Sequence, residues 1–112
     1  MLTYRAASKA FLHSYTWSLR IQLAQDGVRV IGIYPQIIET ELHRAHANPD
    51  NNKKANDPSA MTVDEFMQEV IAGWEAGDDE IAAGVAKEPL KTYNNAFAGI
   101  TKYANDSVHG II

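Results

Sequence analysis

The run Val28-Arg29-Val30-Ile31-Gly32-Ile33-Tyr34 constrains this chain more than any other stretch. It is rich in β-branched residues, almost continuously apolar, and bounded by Gly27 and Pro35. A sheet with one wet face would show strict alternation. A short run with none suits a parallel strand covered on both faces. The residues before it, from about Ala6 to Gln25, place Leu12, Tyr15, Leu19 and Leu23 at three- and four-residue steps, the spacing of one helical face. Gly27 then falls at a natural helix stop, where a residue tolerant of positive φ is favoured. Helix, tight turn and buried strand (28–34) make half of a βαβ unit, so the expected fold class is α/β.

Downstream the chain turns polar between Glu39 and Ala60. Asn48 to Pro58 offers almost nothing to bury, which predicts a mobile lid over about 41–61. Order returns at Thr62-Val63-Asp64-Glu65, a capping-box pattern opening a helix over about 62–76. Its apolar face is expected to be Phe66, Val70, Ile71 and Trp74; Gly73 and Gly77 at its end read as packing or capping residues. Glu80 to Ala86 is a candidate short strand. Pro89 suits the first turn of a last helix over about 89–103, with Leu90, Tyr93, Phe97 and Ile100 at helical spacing. Beyond Asn105 a frayed tail is expected. Phe66, Trp74 and Tyr93 read as core residues and His13 as a helix-surface residue.

With 112 residues there is room for one domain. A net charge of −4 argues against nucleic-acid binding, which needs a concentrated basic surface. The absence of cysteine removes disulfides and thiolate metal sites. No apolar run approaches the ~20 residues of a membrane span, and no signal-peptide core follows Met1, so a cytoplasmic protein is expected. His43 and His46 stand beside Glu39 and Glu41, but no third specific ligand accompanies them and no metal site is expected.

The stretch Tyr4-Arg5-Ala6-Ala7-Ser8-Lys9-Ala10-Phe11-Leu12-His13-Ser14-Tyr15-Thr16 resembles the active-site helix of the short-chain dehydrogenase/reductase family. The segment Pro35-Gln36-Ile37-Ile38-Glu39-Thr40-Glu41-Leu42 resembles the family's proline loop after its sixth strand, with a threonine five positions on. The stretch from Met61 to Ala86 is similar to one branch, oxidoreductases of the D-alanine-esterification type. The resemblance implies a partial Rossmann-like fold, the carboxy-terminal portion of a doubly wound parallel sheet. It also implies oxidation of alcohols or reduction of carbonyls with NAD or NADP.

By that resemblance Tyr4 is the general acid/base, Lys9 its activator and a ribose contact, and Pro35, Ile37 and Thr40 the clamp on the nicotinamide. The chemistry is coherent. A free phenol titrates at ~10, too high for a base near neutrality, and an adjacent ammonium favours the phenolate.

Two departures bear on activity. Tyr4 and Lys9 stand five residues apart where the family has four, and five helical steps leave two positions ~140° apart against ~40° for four. Three accounts are open: a π-bulge or late helix start absorbs one residue, the tyrosine is displaced and the site dead, or the first residues come from a misjudged exon boundary. None of the seven glycines forms a phosphate-cradling cluster after a strand, and the family's catalytic serine has no counterpart. The expectation is a chain that is inactive alone and either unstable or self-associating, with Phe11, Trp17 and Ile21 as candidate contacts. A non-catalytic interaction fragment is the alternative reading.

Overall fold

The computed structural model describes the backbone of residues 2–109 and the side chains of residues 6–104, 106 and 107. The element order is mixed α/β: α1 (Leu2–Ala24), β1 (Gly32–Tyr34), a 3-10 turn at Glu41–His43, α2 (Val63–Glu75), β2 (Glu80–Ala82), a 3-10 turn at Gly84–Ala86, and α3 (Lys87–His109). The two strands pair in parallel. Residues up to 32 together with those from 92 onward form one compact unit, and residues 33–91 a second.

In the first unit α1 is stopped by local chemistry. The Val28 N–H reaches back to the Leu23 carbonyl (3.2 Å) and the Gly27 N–H to the Ala24 carbonyl (3.1 Å). These two bonds with a left-handed Gly27 (φ 72°) make a Schellman motif. The inward face of α1 differs from the leucine stripe. Leu12 and Tyr15 are exposed, whereas His13 and Trp17 are buried at 7% and 8% exposure. The reason lies on α3. His13 stacks on Tyr93 with ring centroids 4.3 Å apart, Trp17 meets both rings edge-on, and Phe97 continues the cluster 4.7 Å from Tyr93. Aromatic pairs bury more area per residue than an aliphatic stripe and add ring–ring attraction, so they set the face. Arg20, on the same face, donates from Nε to the Val30 carbonyl at 2.8 Å.

The predicted strand over 28–34 is shortened to Gly32–Tyr34. A strand is a pairing as well as a propensity, and β2, its partner among the described residues, reaches only that far. The predicted strand over 80–86 likewise ends at Ala82, because Gly84 turns left-handed (φ 57°) into the second 3-10 turn. The last helix is longer than its apolar periodicity and runs through the expected tail to His109.

The second unit is built on α2 over β2. The Thr62 hydroxyl accepts from the Glu65 N–H (3.2 Å) while the Glu65 carboxylate accepts from the Thr62 N–H (2.9 Å), completing a capping box. At the other end Asp78 N–H to Gly73 carbonyl (3.0 Å) and Gly77 N–H to Trp74 carbonyl (3.1 Å) repeat the Schellman stop, with Gly77 at φ 79°. Val70, Ile81, Ala83, Ala60 and Met61 are buried. Trp74, expected in the core, is 60% exposed, and Ile71 is exposed as well. The face that meets β2 carries Gly73, whose missing side chain makes room for Ile81.

Candidate functional site

The site indicated by the sequence divides between the two units. In the first, α1 is α-helical without a π turn from Leu2 to Ala24, so neither a wide turn nor a late start absorbs the extra residue. Positions 4 and 9 therefore stand ~140° apart around the axis, and it is positions 5 and 9 that share a face. Lys9 is exposed. The Tyr4 and Arg5 side chains lie outside the described residues.

In the second unit Pro35, Ile37 and Thr40 follow β1 on one loop, and polar side chains tie that loop down. Gln36 uses both ends of its amide: Nε2 donates to the Ser59 carbonyl (2.6 Å) and Oε1 accepts from the Val85 N–H (2.6 Å). Gly84 is the neighbour that permits this, since a Cβ there would lie 2.3 Å from the Gln36 oxygen. Ile38 and Met61 form a parallel bridge, in which the Met61 N–H meets the Ile37 carbonyl (2.9 Å) and the Glu39 N–H meets the Met61 carbonyl (2.8 Å). Thr40, in extended backbone, caps the 3-10 turn by accepting from the Leu42 N–H at 3.3 Å.

The polar stretch expected to be a mobile lid is stapled to this loop. Asn52, 2% exposed in the middle of it, donates from Nδ2 to the Ile38 and Thr40 carbonyls, each at 3.0 Å. The Lys53 ammonium lies 3.4 Å from both the Thr40 carbonyl and the Glu41 carboxylate, and the Lys54 N–H donates to the Glu39 carboxylate. Successive turns close the segment on itself, including Lys53 N–H to Asp50 carbonyl (3.1 Å) and Asn56 N–H to Lys53 carbonyl (2.9 Å). Arg44 and then Lys53 beside Glu41 hold its carboxyl below the usual carboxylate range.

His43 and His46 stack on each other at 4.5 Å, and His43 Nδ1 donates to the Asn51 side-chain carbonyl. No group of three or more His, Cys, Asp or Glu side chains is placed to hold a metal ion among the described residues. Nor is any helix among them long and apolar enough to cross a membrane. An open cleft of about 360 Å³ lies beside the loop, lined by Gln36, Lys54, Met61, Glu65, Gln68 and Glu69 among others. Its charged groups are already matched: Lys54 with Glu65 at 2.6 Å, and Glu69 with Lys87 at 2.9 Å. Two residues central to the site, Gln36 and Asn52, carried no signal in the sequence. Each sits in a polar or turn-forming context where an amide is unremarkable.

A family model described as short chain dehydrogenase matches residues 1–51. The match spans α1, the Gly27 turn, β1, the proline loop and the first part of the polar stretch, and it supports the short-chain dehydrogenase family and an oxidoreductase by resemblance. No curated protein and no solved structure matches the chain.

The residues present suit one end of a nicotinamide dinucleotide. A carboxamide offers one acceptor and one donor. The Thr40 hydroxyl, having accepted from Leu42, keeps its own proton to donate, and the Ile37 carbonyl keeps a second lone pair. A diphosphate needs several backbone amides converging at a glycine-rich turn, and this sequence has no such glycine cluster.

Proposed function

We propose that this chain is the catalytic-side, carboxy-terminal part of a cytoplasmic NAD- or NADP-dependent short-chain oxidoreductase that interconverts a carbonyl and an alcohol. In this reading it does not carry out the reaction by itself. The observation that carries the reading is the family match over residues 1–51, which joins α1, β1 and the proline loop in one ordered series. Resemblance over Met61 to Ala86 points further to the D-alanine-esterification branch.

The nicotinamide ring, when bound, supplies or accepts the hydride. Thr40 and the Ile37 and Pro35 backbone hold the ring's carboxamide. By the resemblance Tyr4 would give a proton to the alkoxide that hydride transfer creates, or take one from the alcohol, and Lys9 would favour the phenolate by its charge, which requires the ~140° between positions 4 and 9 on α1 to close. A diphosphate cradle and a carbonyl-polarising serine are needed besides, and these 112 residues hold neither in the family's arrangement.

Reduced nicotinamide mononucleotide is the direct test, because it carries the ring and ribose without a diphosphate. Binding to the 112-residue chain should be weak, on the order of millimolar, with amide NMR shifts at Ile37 and Thr40. Adenosine monophosphate should produce none. Equal responses to the two nucleotides, or no response to either, would remove the oxidoreductase reading.

A second reading, a non-catalytic interaction fragment, is favoured by the ~140° between positions 4 and 9 and by the exposed ring pair Phe11–Tyr15, 6.1 Å apart on the outer side of α1. Trp17, one of three residues expected at such a contact, is buried and drops out of it. This reading predicts a concentration-dependent dimer in sedimentation, abolished by Phe11→Glu, together with no response to the mononucleotide.

A further inference from the structure

We propose that Asn52 is a positioning residue for Thr40, acting by holding the threonine's carbonyl and that of Ile38 on the two N–H bonds of one buried amide. The inference rests on the reading of Thr40 as the carboxamide contact. The geometry supports it in three ways. First, both donors of Nδ2 are spent on carbonyls that bracket the cap, at 3.0 Å each, so one side chain sets the backbone on both sides of Glu39. Second, the Thr40 hydroxyl is oriented by its bond from Leu42, and the peptide that Asn52 grips is the one joining Thr40 to Glu41 at the start of that turn. Third, Asn52 is kept at a cost. Its Oδ1 is buried with no partner, which costs the desolvation of a carbonyl oxygen. A packing role would be served without that penalty by an apolar residue of similar volume, so what the position retains is the pair of donors.

The neighbouring contacts are of a different kind. Lys53 reaches the same Thr40 carbonyl at 3.4 Å from a flexible chain, and Glu39 receives the Lys54 N–H outside the cap itself. Neither addresses both carbonyls. Within the stretch 41–61, Asn52 is the described residue that does.

The test is ¹⁵N NMR on the full chain with two substitutions. Asn52→Asp keeps the shape and replaces the donor by an acceptor, setting a carboxylate against two carbonyls. Asn51→Asp makes the same charge change one residue away while preserving the acceptor that His43 uses. Asn52→Asp should speed exchange of the Leu42 amide roughly tenfold, the loss of about one net hydrogen bond, with the amides of α2 unchanged. Relative to the parent chain at the same pH, the effect should shrink below pH ~4, where a protonated carboxyl regains one donor. Asn51→Asp should leave Leu42 unchanged. Affinity for reduced nicotinamide mononucleotide should fall by a similar factor in Asn52→Asp alone.

Should Asn52→Asp fail to fold, through-hydrogen-bond couplings from the Asn52 side-chain amide to the Ile38 and Thr40 carbonyls of the parent chain decide the matter. Their absence overturns the proposal, as does an unchanged Leu42 amide in the folded variant. A parent chain that ignores the mononucleotide yet shows the Leu42 effect refutes the assigned function and leaves the Asn52–Thr40 relation standing.

Discussion

Gly73 of α2 lies so close to Ile81 of β2 that a methyl group at position 73 would come 2.9 Å from the Ile81 Cγ2 atom. The contact of α2 with β2 in the second unit thus depends on a residue with no side chain. Helix propensity alone would favour alanine at this position, and the contact overrides it. Gly73→Ala should therefore destabilise the chain by roughly 1–2 kcal/mol in urea unfolding, overpacking outweighing the propensity gain. Gly99→Ala is the control, since nothing lies within 4 Å of its Cβ in α3. It should stabilise by roughly 0.5–1 kcal/mol. Equal effects of the two substitutions would show that α2 does not rest on Ile81.

The capping box makes a sharper local prediction. Removing the Thr62 hydroxyl frees the Glu65 N–H and leaves the return bond, from the Thr62 N–H to the Glu65 carboxylate, as the remaining half of the box. Thr62→Ala should cost about 1 kcal/mol, and Thr62→Ser most of it should spare. Circular dichroism through a thermal melt measures both.

Acid should weaken the second unit through two carboxylates on α2. Lys54, then the Thr62 N–H, hold the Glu65 carboxyl below its ordinary range, and Lys87, then the Gly84 N–H, do the same for Glu69. A folded-state pKa below the unfolded value means that the stability these groups add is fully present above the ordinary carboxylate pKa of ~4.3. It is lost as pH falls through the lower folded values. Glu65→Gln and Glu69→Gln should each reduce stability at neutral pH and flatten the loss on acidification. An acid limb unaltered by both substitutions would show that other groups govern it.

The two tryptophans report on different environments. Trp17 is buried within the His13–Tyr93 cluster, while Trp74 faces solvent. Acrylamide should quench Trp74 readily and Trp17 poorly, so Trp74→Phe should leave a protected emitter that becomes accessible only on unfolding. Trp17→Ala should cost about 3–5 kcal/mol, a large fraction of any small domain's stability.

How much of this was legible in the sequence follows from the range of each interaction. The capping box and both glycine stops were readable because Thr62 and Glu65, or Gly27 and Leu23, lie within five residues of one another. The inward face of α1 was not. Leu12 and Tyr15 had the better spacing, but the decision between them and His13 with Trp17 was made by Tyr93 and Phe97, which belong to the far end of the chain. Strand length was misjudged for the same reason: Val28 to Ile31 have strand-forming side chains, yet β2 pairs only with the residues after them. On the site side, Thr40 was visible through its resemblance to a known loop. The amide that grips it lies 12 residues away, in a stretch whose polarity argued for no structure at all.

That amide also gives the protein a clock. Asparagine side chains hydrolyse slowly in water to aspartate, and residues that are solvent-accessible and flexible go first. Burial shields Asn52 while the stretch stays folded, whereas its neighbours Asn51 and Asn56 are exposed, and deamidation at position 52 would swap its donor for an anion. In aged preparations the exposed asparagines of the stretch should therefore turn acidic before Asn52 does, and conversion at position 52, located by peptide mapping, would count how often the staple lets go.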